Sequence, residues 1–293
     1  MKDLSKIKCI VISGGGAMFF QMLGIFTEII KNDTFDINNI NDYYGCSAGS
    51  ILSVMLALNH NIDTLNKYFI DRPWHNLIKT DIFQVLSSFN TCGIINKDIL
   101  IKSYDPLFKA KDLDISTITF KDFYDKTKKN VHIYSTNITD GIIVDLSHIT
   151  HPDWLLIDAL HASMCIPTIL EPVIKNNKCY IDGGVVNNFP INFALNTFKN
   201  DQILGIKTQA TIKDNNYDEP ELKFDNMLNY ITYILFQSHS KLIKQKYIRD
   251  NIDNIIIIRK DAIDMLDLFS VLNSKDKRIE YFELGKIIYS ENI

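Results

Sequence analysis

No C-x-x-C pair occurs in this chain, and its five cysteines (Cys9, Cys46, Cys92, Cys165, Cys179) are odd in number. Neither a disulfide framework nor a zinc cluster follows from such a set, and a reducing setting suits it better than an oxidising one. Long hydrophobic runs are missing as well. Nothing approaches the roughly 18–20 apolar residues of a membrane-spanning helix, so contact with a bilayer is expected from its surface only. The opening stretch MKDLSKIKCIVISGGG has too short an apolar run for a secretory signal. A cytoplasmic location is therefore expected, and the sequons at Asn32 and Asn137 are read as meaningless. Positive charge is not in excess, since the formal net charge is −4. Nucleic-acid binders usually carry a basic patch, so no nucleic-acid partner is expected. Internal repeats, low-complexity linkers and blocks of like charge are also lacking. The histidines show no H-E-x-x-H spacing, and no metal site is expected from them.

What the chain does have is enough apolar material for a large core: 293 residues, 46% of them hydrophobic and 23% charged. One domain over residues 1–293 is the simplest organisation. The segment 7–12, IKCIVI, is apolar and β-rich and ends in glycines, as a buried strand does. Residues 17–30 then carry apolar side chains at helical spacing, with Gln21 and Glu28 on the other side. Tyr43 and Tyr44 lead into a second glycine-flanked turn, and 50–60 is a strong, apolar helix former. Strand, turn and helix, twice over, predict an α/β fold: a mainly parallel central sheet flanked by helices in a three-layer sandwich.

Further along, 61–115 reads as several helices with loops between them. Thr119 and Asp122 look like a helix start. Strands are predicted at 130–138, 141–147, 168–174, 178–182, 202–208 and 254–259, and the four consecutive isoleucines of the last suit a central strand. Helices are predicted at 154–164, 225–249 and 275–289, and a loop at 213–221.

Three short motifs carry chemistry. The first is Gly45-Cys46-Ser47-Ala48-Gly49, a G-x-S-x-G after a strand-like stretch and before a helix. That context is a nucleophile elbow, in which the serine is pushed out of the sheet edge. The helix N-terminus aims amides and a partial positive charge at the same point. The second is SGGGAMFF (13–20), whose three glycines leave backbone amides uncrowded. Dinucleotide binding would want glycine where Phe19 stands, and a P-loop would want Gly-Lys-Ser/Thr. An oxyanion hole is the better reading. The third is YIDGGVVNNFP (180–190), with Asp182 at a strand end and glycines behind it. A lone carboxylate is a poor base for a serine hydroxyl, because its pKa is near 4. It can serve if burial raises that value and it lies within about 3 Å of the hydroxyl.

Together these motifs resemble the patatin-like phospholipase family, which pairs a glycine-rich loop and a G-x-S-x-G elbow with a D-G-G/A motif. The softer segments 119–141 and ALHASMCIPTILEPV (159–173), and Asn188 and Pro190 after the aspartate, extend the likeness across about residues 7–210. The resemblance implies a patatin-like fold and a lipid acyl hydrolase working through a Ser–Asp dyad without histidine. Ser47 is the implied nucleophile and Asp182 the implied base. Gly14, Gly15 and Gly16, with Ala48, form the implied oxyanion hole. The implied partner is a lipid or phospholipid, and the chemistry asks for no metal or cofactor.

The chain departs from the family at two points. Met18 and Phe19 stand where many relatives have Arg or Lys followed by Gly, which removes a cation and adds an apolar wall. Met18, Phe19, Phe20 and Met22 then have two readings, plain core packing or one lip of an acyl groove. The lost cation also motivates a rival reading, an inactive relative that binds lipid or a protein partner. Cys46 precedes the serine and is expected to point away from the site. Ser47, Asp182 and His239 would meet the chain order of an ordinary α/β-hydrolase, but His239 sits inside a helical pattern and reads as a solvated surface residue.

Overall fold

Cys9–Ile12 (β1) buries all four side chains, as a strand covered on both faces must. The computed structural model describes residues 4–32, 35–78, 90–210, 252–260 and 265–292, with 231 and 234. A single turn at Gly16–Met18 leads from β1 to Phe19–Lys31 (α1). Asp42–Cys46 (β2) and Ala48–Ala57 (α2) repeat the unit. The two strands pair in parallel, with Ile12 opposite Gly45, so both turns open at the same edge of the sheet.

Ile62–Asp71 (α3), Gly93–Ile95 (β3) and Lys97–Lys109 (α4) follow. Phe120–Thr127 (α5) begins with the expected reciprocal cap between Thr119 and Asp122. Asn130–Asn137 (β4) and Ile142–Leu146 (β5) form an antiparallel hairpin. Next come Leu156–Met164 (α6), Thr168–Leu170 (β6), Val173–Lys175 (β7) and Lys178–Asp182 (β8). Two short helices, Gly184–Asn187 (α7) and Ile191–Leu195 (α8), precede Ile203–Ala210 (β9). Asn254–Lys260 (β10), Met265–Asn273 (α9) and Lys275–Glu291 (α10) complete the described elements.

The main sheet runs β10-β9-β1-β2-β4-β8-β7, with β5 also on β4. It is parallel from β10 to β4 and antiparallel at β8, β7 and β5. Alternation along the strands makes two cores. Ile10, Ile12, Tyr43 and Ile133 pack with α1, α2 and α6 on one face. Cys9, Val11, Tyr44 and Tyr134 pack with Phe189 and Ile191 on the other. The result is the three-layer α/β sandwich expected from the sequence.

Three expectations need correction. The segment 168–174 is two strands in two sheets. Pro172, which has no N–H to give a ladder, separates β7 from β6, and β6 pairs with β3 in a small sheet of its own. The stretch 61–115 is therefore not all helix and loop, because β3 lies in it. β10 is the outermost strand among the described residues, not a central one; Ile256 and Ile258 are nonetheless fully buried by the core on one face. The predicted loop 213–221 and helix 225–249 lie outside the described residues.

Candidate active site

Ser47 connects β2 to α2 with φ 51° and ψ −124°. A left-handed φ on a residue with a side chain costs about 1–3 kcal/mol and persists only where its surroundings enforce it. Here they do. The Ser47 amide donates to Ser163 Oγ at 2.8 Å, and that hydroxyl donates to the Tyr134 carbonyl at 2.7 Å. The Ser47 carbonyl accepts from both the amide and the hydroxyl of Ser50. The flanking glycines are required by sterics: a Cβ at Gly45 would come within 2.6 Å of Ser50 Cα, and one at Gly49 would run into the backbone of Ile12 and Ser13.

Asp182 reaches the same edge from the other side of β4. Cys46 pairs with Tyr134 and Asp182 with Ser135, so β4 lies between the two candidate residues. The Asp182 amide donates to the Cys165 carbonyl at 2.9 Å, and its Oδ1 accepts the Gly184 amide at 2.7 Å. The side chain is 1% exposed. Burial pushes its carboxyl up to about 6, against the opposing pull of the Ser47 hydroxyl and the Gly184 amide. The second oxygen, Oδ2, has no aligned hydrogen-bond partner. The Ser47 hydroxyl nonetheless lies close enough to Asp182 to favour its charged form.

The triple-glycine bend faces this pair. A Cβ at Gly14 would fall 2.9 Å from Ser47 Cβ. The Gly14 carbonyl accepts from Thr208 Oγ1 at 2.5 Å and Asn188 Nδ2 at 3.1 Å. Its amide donates to the Asn188 carbonyl at 3.1 Å, so of the three glycines implied for an oxyanion hole Gly14 has its amide already engaged. The amides of Gly15 and Gly16 have no acceptor among the described residues. Ala48 opens α2, where the first amides have no intrahelical acceptor.

Ser47, Ala48 and Gly16 open on a cavity of about 140 Å³. Phe19 and Phe20 of α1, Phe69 and Trp74 around the end of α3, and Leu268 and Leu272 of α9 contribute its walls. No charged side chain lines it among the described residues. Of the four side chains with two readings, Phe19 and Phe20 line the cavity. Met18 and Met22 are core residues, 4% and 0% exposed. Cys46 is fully buried, and burial followed by the nearby Asp182 keeps its thiol well above the ordinary range. His239 lies outside the described residues.

The sequence profile of patatin-like phospholipases matches residues 10–195. The chain belongs to that family. A mimivirus protein of Acanthamoeba polyphaga, "Uncharacterized protein R571", is 31% identical over 96% of this chain and 92% of its own length. "Probable lipid hydrolase 463L" of Invertebrate iridescent virus 6 is 31% identical over 71% of this chain and 72% of its own. Among solved structures, VipD from Legionella pneumophila shares the fold, with a TM-score of 0.50 at 16% identity, covering 96% of this chain and 67% of that one.

In this patatin-like chain the family match ends before β9, β10, α9 and α10, although these supply Thr208, Leu268 and Leu272 to the site. Sequence reasoning missed those three, as no local pattern marks them. Ser163 was also missed. It lies inside the segment 159–173 that carries the family likeness, and a small hydroxyl two residues before Cys165 was the available signal.

Proposed function

We propose that the chain is a lipid acyl hydrolase, of phospholipase A type or a related esterase, built as one domain. Ser47 Oγ attacks a fatty-acyl ester carbonyl while Asp182 takes its proton. The amides of Gly15, Gly16 and Ala48 hold the oxyanion, each worth about 3–4 kcal/mol of transition-state stabilisation in comparable sites. Asp182 then passes that proton to the leaving oxygen as the tetrahedral species collapses, which expels the alcohol and leaves an acyl-enzyme. Water activated by Asp182 then releases the fatty acid and restores Ser47. The acyl chain lies in the apolar cavity, and the substrate is a lipid drawn from a membrane surface.

The observation that carries this reading is the carboxyl of Asp182: buried, raised to about 6 by that burial, and influenced by a strained serine at the mouth of an apolar cavity. A base poised near neutrality beside a preset hydroxyl is what a two-residue acyl-transfer site needs. Labelling by a fluorophosphonate, together with turnover of a nitrophenyl ester, tests it. Wild type is expected to label and turn over, and Ser47→Ala to do neither. A wild type inert in both assays leaves the rival reading, a lipid-binding relative without activity.

A further inference from the structure

Arg278 belongs to the first turns of α10, and its side chain is all but buried, 3% exposed. It spends its donors on carbonyls, not on a carboxylate. Nε donates to Ile70 O at 2.9 Å and Nη2 to Arg72 O at 3.2 Å. Nη1 donates to Val271 O at 3.2 Å and Leu272 O at 2.6 Å. The first pair of carbonyls ends α3, and the second pair ends α9. Helix C-termini carry unsatisfied carbonyls and partial negative charge. One planar guanidinium therefore caps two helices at once, and its fork shape is what lets it reach both.

The segments it joins are walls of the apolar cavity. Phe69 and Trp74 flank Ile70 and Arg72, and their rings stack at 5.9 Å. Leu268 and Leu272 line the cavity from α9. Two neighbouring contacts brace the same corner: Trp74 Nε1 donates to Phe69 O at 2.9 Å, and Lys275 pairs with Asp71 at 2.7 Å. We propose that Arg278 is a positioning residue that sets acyl-chain selectivity, by locking the Phe69–Trp74 wall to the α9 wall. The inference rests on the acyl-hydrolase reading for its substrate and on the clamp geometry for its residue.

The test uses the full chain and the nitrophenyl esters of butyric and dodecanoic acid. Arg278→Met keeps the stem and removes the fork; Arg278→Lys keeps the charge but not the planar geometry. With either variant KM for the dodecanoate ester is expected to rise about tenfold, while kcat on it and both constants for butyrate stay within about twofold. A loss shared equally by both esters overturns the proposal, because a merely structural arginine changes the amount of active protein and not the ratio. A wild-type profile in Arg278→Lys overturns it too. Should wild type hydrolyse neither ester, the acyl-hydrolase reading falls separately, and calorimetric titration with dodecanoate tests the clamp. Binding about tenfold weaker in Arg278→Met supports the clamp; equal affinity, or no binding by wild type, overturns it. If neither variant folds, hydrogen exchange of wild type gives the answer: dodecanoate should slow exchange in 69–74 and 268–273 together, and slowing of one segment alone overturns the link.

Discussion

As the proposed base, Asp182 meets two opposing demands. To take the Ser47 proton it must be ionised, and burial makes ionisation costly. With its carboxyl at about 6, kcat/KM on a nitrophenyl ester is expected to drop roughly tenfold per pH unit below that value and to level off above it. A profile flat down to pH 4.5 would remove Asp182 from the role of base. Stability runs the other way. The folded carboxyl holds its proton more tightly than the unfolded one, whose pKa is about 3.9. Any stability this group supplies is present below the unfolded value and is lost as pH rises through the folded one. Above about 6 the buried charge costs the fold up to about 3 kcal/mol. Asp182→Asn is therefore expected to be inactive yet more stable than wild type at pH 7.5, with the gap closing toward pH 4. Urea denaturation at both pH values measures this. The chemical need at this residue was legible in the sequence, since a lone aspartate beside glycines serves a serine only if burial raises it. The partners that hold the geometry were not, because Ser163, Asn188 and Thr208 reach Ser47 and Gly14 from 116 to 194 positions away along the chain.

At the scale of elements, the strand–turn–helix units were readable because each is written in one short stretch, with glycines where backbones crowd. Pairing was not readable. β3 and β6 are three residues each and find each other across more than seventy positions. A run of isoleucines likewise looks the same at a sheet edge as at its centre, which is why β10 was misplaced. Helix packing was hidden for a related reason, as Gly24 and Gly285 look like weak points in their helices. They are where α1 and α10 touch. A Cβ at Gly285 would fall 2.9 Å from Gln21 Cα and closer still to its carbonyl oxygen, and a Cβ at Gly24 would strike the Phe282 carbonyl. Backbone cannot yield as a flexible side chain can. Gly285→Ala is expected to lower stability by about 1–3 kcal/mol, seen as a lower urea midpoint with an unchanged slope. A midpoint equal to that of wild type would mean the helices separate without cost.

For the whole molecule, the motifs and their order were legible, and the enclosure of the site was not. The family match stops at residue 195, and the motifs read from the sequence end at Pro190 with the segment carrying Asp182. Yet β9 pairs with β1 on the side of the sheet away from β2, α10 covers α1, and α9 walls the cavity. The strand and helix contacts join residues 194 or more positions apart, and no local pattern encodes them. They imply that the last two helices are part of the fold and not an appendage. Removing residues 265–293 would uncover the Gln21–Gly24 side of α1 and open the cavity beside Phe69 and Trp74. Exposed apolar area on that scale is poorly tolerated in a monomer. The shortened chain is expected to lose a cooperative thermal transition, to bind a hydrophobic dye such as ANS, and to hydrolyse neither the butyrate nor the dodecanoate ester. A truncated protein that melts cooperatively near the wild-type temperature would show that the sheet and its first helices close the core unaided, and the cavity would then need another wall.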